Sequence, residues 1–257
     1  MKAKKSYGQH FLADEHIAQR IAESALGWGV SYKHLVEVGP GMGALSRHLL
    51  AIGKANDQLK ITAVEADKDM VDYLAVHYPK LNVFQADFLQ FNPAMADLTE
   101  QFGVIGNFPY NISSQICFWI VDRYKQVPEM TGMFQKEVAE RICSGPGSKE
   151  YGIISVLIQA FYETKYLFTV KPGSFNPPPK VMSGVIRLQR KTDVPSPLLA
   201  SKLKTLVKTA FGQRRKMLRN SLSQLLPTEI IENDPFFTKR PEQLSLQEFL
   251  ALAEKMI

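Results

Sequence analysis

Two short segments carry the residues best suited to chemistry: Asn107-Phe108-Pro109-Tyr110, and upstream of it Glu37-Val38-Gly39-Pro40-Gly41-Met42-Gly43. The Asn107 side-chain oxygen and a backbone carbonyl in the Pro109 turn can together accept both hydrogens of an exocyclic amine such as N6 of adenine. Such an amine is a poor nucleophile because its lone pair is delocalised into the ring. Holding both hydrogens favours a pyramidal nitrogen with a localised lone pair, so no proton has to leave before attack. Tyr110 can stack on the flat base and fix the line of transfer. Taken alone, the tetrapeptide is also compatible with a β-turn carrying a packed tyrosine.

The glycines at 39, 41 and 43 allow a tight turn and a close approach of backbone to a ligand. A plain strand-to-helix turn and a dinucleotide cradle are the rival readings. Glu37 has the wrong sign for a pyrophosphate, but it can engage the ammonium of a methionyl group, directly or through water. Glu65 closes the next strand, where a carboxylate can accept from ribose hydroxyls. Asp87-Phe88 follows the third strand and offers an acceptor for an adenine amino group and an aromatic beside the ring. The spacing therefore predicts S-adenosyl-L-methionine held by Glu37, Gly39, Gly41, Gly43, Glu65, Asp87 and Phe88, with Asn107, Pro109 and Tyr110 at the amine. Their order at successive strand ends weighs against the turn-only reading of the tetrapeptide.

These residues need a scaffold that brings strand ends together. The first 110 residues alternate short β-rich runs, His34–Val38, Lys60–Val64, Asn82–Gln85 and Gly103–Gly106, with helical spacings over 43–52 and 67–77. That alternation predicts βαβ units and a parallel sheet. A fifth strand is expected over 129–134, helices over 137–143 and 153–161, and then two β-like runs, Tyr162–Val170 and Gly184–Leu188. The Pro-rich segment 171–180 joins this last pair into a hairpin at one sheet edge. Within it, Phe175 reads either as a second face for the target base or as a hydrophobic plug. The fold class expected is a Rossmann-like α/β methyltransferase domain, mostly parallel with an antiparallel edge hairpin, followed by a small all-α domain.

A polar, Pro-punctuated stretch at 190–197 reads as a linker, dividing the chain into a catalytic domain, 1–190, and a helical RNA-binding domain, 191–257. Charge divides unevenly too. Residues 1–189 carry 19 Lys/Arg and 18 Asp/Glu, whereas residues 190–257 carry 12 and 7. Between Ser201 and Thr228 lie seven basic residues and no acidic one, a pattern that fits a polyanion better than a solvated face, which mixes signs. Lys208, Arg214, Arg215, Lys216 and Arg219 are the candidate contacts there, with Lys4 and Lys5 in a smaller basic arm. Two cysteines, Cys117 and Cys143, have neither the spacing of a metal site nor the density of a disulfide scaffold, so no metal is expected. No run is apolar enough for a signal peptide or a membrane span. A cytoplasmic monomer is the expectation.

The motifs together resemble the KsgA-type ribosomal RNA adenine dimethyltransferases, a group that includes the Erm resistance methyltransferases. The likeness runs through Gly8-Gln9-His10-Phe11-Leu12, Glu37–Gly43, Asn107–Tyr110, the stretch 134–141, Phe175–Val181 and Phe211–Lys216. It implies cofactor contacts from His10 and Leu12 besides Gly39, Glu65, Asp87 and Asn107, with Tyr110 and Phe175 around the base. It implies dimethylation of two adjacent adenines in a 3′-terminal hairpin of small-subunit (16S) ribosomal RNA, with a 30S-type pre-ribosomal particle as partner and a role in subunit biogenesis. Two positions depart from the family pattern: His10 replaces an Asn and Phe108 a Leu. Alternatives are an Erm-type enzyme acting on large-subunit RNA, and an assembly factor that works mainly by binding RNA.

Overall fold

The computed structural model describes residues 10–25, 32–56 and 59–256. The chain forms two compact units, the first Met1–Ala139 with Lys165–Arg190, the second Glu140–Thr164 with Lys191–Ile257. The expected boundary at 190/191 is one of three crossings. The segment 140–164 also belongs to the second unit, which differs from the simple 1–190 and 191–257 division. Its helix is apolar almost all round, and a sequence pattern of that kind cannot say which core it joins.

The first unit is built on a sheet whose strands are β2 (His34–Val38), β3 (Lys60–Glu65), β4 (Asn82–Gln85), β5 (Phe102–Asn107), β6 (Glu129–Gln135), β7 (Tyr162–Val170) and β9 (Ser183–Arg190). Their order is β4-β3-β2-β5-β6-β9-β7. β2, β3, β4, β5 and β6 pair in parallel, and β9 runs antiparallel to β6. The expected hairpin strands, β9 and β7, are neighbours at that edge. A separate antiparallel pair joins β1 (Phe11–Leu12) to β8 (Phe175–Asn176).

Helices α1 (Glu15–Ser24), α2 (Ser46–Ala55), α3 (Lys68–His77) and α4 (Ser113–Asp122) alternate with the strands, and α5 (Lys136–Cys143) continues directly from β6. Asp14 and Asp67 cap α1 and α3 by accepting from backbone amides in the first turn. Strand register follows burial: β5 and β6 are covered on both faces and nearly every residue in them is buried, as parallel central strands require.

Gly106 on β5 and Gly132 on β6 are direct register partners. With no Cβ on either, the two strands leave a slot between them, and the Phe108 ring fills it. A Cβ built at Gly132 would lie 2.2 Å from that ring and one at Gly106 2.7 Å. The ring is 1% exposed and meets Phe134 edge-on at 5.1 Å. The chain leaving β5 is thus folded back and pinned within two residues.

The second unit contains α6 (Ile153–Gln159), α7 (Pro197–Gly212), α8 (Leu218–Ser221), α9 (Thr228–Glu232) and α10 (Leu246–Glu254). One face of α7, Leu203, Leu206, Val207 and Ala210, is fully buried, and Phe211 bridges Tyr151 and Phe249. Ser245 and Glu248 form the expected capping box of α10. Among the described residues, no helix is long and apolar enough to cross a membrane.

The slot yields a stability test. Gly132→Ala should cost about 1–3 kcal/mol in urea denaturation through overpacking. Adding Phe108→Leu should recover at least half of that loss, because the branched side chain is shorter. Losses that simply add would remove the slot as the explanation.

Candidate active site

The carboxyl ends of β4, β3, β2 and β5 lie side by side, and a cavity of about 450 Å³ opens over them. It lies where the chain order turns from β3 and β4 on one flank of β2 to β5 on the other, the usual ligand position in open α/β sheets. Its lining gathers eleven residues singled out from sequence: His10, Leu12, Glu37, Gly39, Gly41, Glu65, Asp87, Phe88, Asn107, Pro109 and Tyr110.

The loop after β2 is shaped by Gly39 and Gly41, both left-handed with φ of 62° and 54°. Only glycine adopts this conformation at little cost. A Cβ built at Gly39 would have room, with Pro109 3.9 Å from it, whereas one at Gly41 would meet the Phe11 ring at 3.1 Å. The Gly41 amide donates to Glu65 Oε2 at 3.1 Å, while the Asp67 amide donates to Oε1 at 2.9 Å. Glu65 therefore secures the glycine loop as well as facing the cavity, and burial raises its pKa against the pull of these backbone bonds. Gly43 is placed otherwise than expected. It does not line the cavity, and its missing Cβ makes room for the Tyr78 ring.

Glu37 is 1% exposed and accepts from Ser46 Oγ at 2.6 Å. Burial pushes its pKa up to about 7, with the Ser46 bond opposing and Glu65 adding to the rise. Asp87, exposed, caps a single helical turn through the Leu89 amide. Phe88 beside it is tilted against Trp119 at 4.4 Å between ring centres. A sequence reading missed Ser46 and Trp119, because each acts through a contact that no local pattern encodes.

At the end of β5, Asn107 Nδ2 donates to the His10 carbonyl at 3.1 Å. That bond fixes the flip of the amide and leaves Oδ1 in the acceptor role. The Pro109 carbonyl accepts from the Ile112 amide and is taken up within the turn. The Tyr110 hydroxyl is 2.6 Å from Ser183 Oγ, and its ring is stacked 5.6 Å from that of His10. Burial raises the Tyr110 pKa, and the Ser183 bond opposes the rise. His10 Nδ1 is 2.9 Å from the Pro177 carbonyl. A carbonyl can only accept, so Nδ1 carries the proton. Ser183, fully buried at the start of β9, gave no signal in the sequence.

Phe175 is not brought to the cavity. It pairs with Leu12 across β1 and β8, is 4% exposed, and belongs to the hydrophobic core. Of the two readings left open for it, the structure takes the plug. The basic residues divide as well. Lys208, Arg215, Lys216 and Arg219 are exposed. Arg214, in contrast, is half-buried, donating to the Lys149 carbonyl at 2.9 Å with Glu242 3.9 Å away, and so fastens the second unit internally. Lys4 and Lys5 lie outside the described residues.

The raised Glu37 pKa makes stability depend on pH. Folded Glu37 holds its proton to a higher pH than the unfolded chain does, so its contribution is fully present below 4.5 and is lost as pH rises through about 7. Relative to Glu37→Gln, the unliganded protein should lose about 3 kcal/mol across that window, read from urea midpoints at each pH. A constant difference between the two proteins would contradict the assignment.

Comparison with known proteins gives the family. The family described as Ribosomal RNA adenine dimethylase matches residues 1–247. The chain is 51% identical over 258 residues to Ribosomal RNA small subunit methyltransferase A of Flavobacterium johnsoniae, covering 100% of this chain and 96% of that protein. It is 48% identical to the protein of the same name from Porphyromonas gingivalis, covering 98% and 96%. Among solved structures, the 23S rRNA methyltransferase ErmE superposes with a TM-score of 0.69 at 25% identity, covering 95% of this chain and 99% of that one. A dimethyladenosine transferase from Plasmodium falciparum gives 0.73 at 23% identity, covering 96% and 99%. A seven-stranded, mostly parallel sheet with the amine motif at the end of β5, matched by a family description over almost its full length, places this chain in the ribosomal RNA adenine dimethylase family.

Proposed function

We propose that this protein transfers methyl groups to N6 of two adjacent adenines near the 3′ end of small-subunit ribosomal RNA, giving N6,N6-dimethyladenine during subunit biogenesis. The observation that carries the reading is the fixed Asn107 amide, with Oδ1 as acceptor at the mouth of a cavity walled by Glu37, Glu65, Asp87 and Phe88. The residues fit S-adenosyl-L-methionine. The cavity has the volume of a small-molecule site, its glycine loop lets backbone approach closely, and its three carboxylates discourage a phosphate-bearing ligand. When bound, that cofactor supplies an electrophilic methyl group on a sulfonium sulfur.

Glu65 and Asp87 offer acceptors for hydroxyl and amino groups, Phe88 an apolar wall for a purine, and Glu37 a buried carboxyl whose ionised form an adjacent ammonium favours. Leu12 and the His10 segment close the side of the cavity next to Asn107. For the substrate, Asn107 Oδ1 and a backbone carbonyl of the turn accept the two amine hydrogens, and Tyr110 holds the extruded base flat. The Ser183 bond and the His10 ring restrict how far Tyr110 can turn, so orientation is set before the base arrives. Exposed Lys208, Arg215, Lys216 and Arg219 hold the RNA backbone. Their contribution should weaken steeply with salt.

Asn107→Ala should lower kcat by about 100-fold or more while calorimetry shows cofactor affinity largely retained. A folded Asn107→Ala protein with unchanged turnover would falsify the assignment. Substrate class is tested by offering labelled cofactor with small-subunit particles, naked large-subunit RNA and DNA separately. Label and N6,N6-dimethyladenine are expected in the small-subunit RNA. Label confined to the large-subunit RNA would move the protein to the specificity named for ErmE, and binding without label would leave an assembly factor.

A further inference from the structure

The cavity accounts for one base, but its substrate is a polymer. Extruding an adenine leaves the bases on either side of it unstacked, and each then presents apolar faces to water. The protein surface next to the mouth bears on where they go. Val181 and Met182 are 45% and 42% exposed. Among the described residues they are the one adjacent pair of large exposed apolar side chains, Val76, Met95, Leu198 and Met217 being scattered singly.

The pair immediately precedes Ser183, whose Oγ holds the Tyr110 hydroxyl. It is anchored by the Lys136 amide, which donates to the Met182 carbonyl at 2.9 Å. Ser183 is the register partner of Gln135, and Met133 that of Asn107. The start of β9 therefore lies at the same end of the sheet as Asn107, about 10 Å across two strand spacings and about 7 Å further along the strand direction. Exposed Lys180 precedes the pair, and the rigid prolines Pro177, Pro178 and Pro179 lead into it.

We propose that Val181 and Met182 form a shelf on which the nucleotide next to the target adenine lays its base, with Lys180 at its phosphate. Methionine suits the task, since its thioether adapts to an aromatic face without demanding one base identity, and lysine neutralises a phosphate without reading sequence. The inference rests on the RNA-methylation reading and adds to it a second contact point, one nucleotide from the chemistry.

The test places a photoreactive group in the full chain, as Met182→p-benzoylphenylalanine, with Val76→p-benzoylphenylalanine as an exposed control. Each protein is illuminated with small-subunit particles whose methylated adenine is identified in the same preparation by mass analysis. Crosslinks from position 182 are expected at a nucleotide directly flanking that adenine, and none there from position 76. Crosslinks only to distant nucleotides or to ribosomal proteins, from a protein that still methylates, would overturn the shelf and leave the function intact. No methylation by the unaltered protein would sink both readings. Independently, Val181→Ser with Met182→Ser should raise KM for the particle about fivefold with kcat nearly constant, as loss of uniform binding requires. An unchanged KM would also overturn the shelf.

Discussion

The site depends on a missing pair of side chains. Gly106 and Gly132 face each other across β5 and β6, and the ring of Phe108 occupies the space that two Cβ atoms would take. Because that ring is anchored, Asn107 on one side of it and Pro109 and Tyr110 on the other have little freedom. A loop held only by its ends would sample many positions; this one is held in its middle by close packing. Both motifs line the same cavity, Gly39 and Gly41 from the loop after β2 and Asn107, Pro109 and Tyr110 from the end of β5.

Hydrogen bonds from remote segments complete the arrangement. The His10 carbonyl orients Asn107, the His10 ring flanks Tyr110 and reaches the Pro177 carbonyl, and Ser183 meets the Tyr110 hydroxyl. The residues flanking the short β1–β8 pair, His10 and Pro177, thus reach the site. His10, which departs from the family's usual asparagine, engages Asn107 through its backbone, and that contact survives any change of side chain. Electrostatics on the opposite wall comes from buried carboxylates held by local donors, Ser46 for Glu37 and two backbone amides for Glu65.

What the sequence revealed and what it hid have physical causes. Strands β2, β3, β4 and β5 and the residues at their ends were legible because β-rich runs, a glycine loop and turn residues are local signals. The cavity lining drawn from β2, β3, β5 and the turn after β4 followed from parallel topology alone. Phe175 and Gly43 were harder, since an aromatic in a Pro-rich loop can face either way and a glycine's reason can be a distant ring, here Tyr78. Ser183 was invisible, being one serine at a strand start whose partner lies far away in the chain. The allegiance of residues 140–164 was hidden for the same reason, as periodicity says that a helix is buried but not by what.

That last feature bears on how the molecule is made. β6 is complete before the chain departs into residues 140–164, but its antiparallel neighbour β9 comes only after the chain has returned. A nascent chain emerging from its N-terminus thus carries, for the time needed to add roughly fifty residues, an unpaired edge on β6 lined by Met130, Met133 and Phe134. Such an edge is a template for wrong pairing. Birth of the catalytic sheet is non-vectorial: its last two strands must wait for a detour, and β9 seals the vulnerable edge on its arrival.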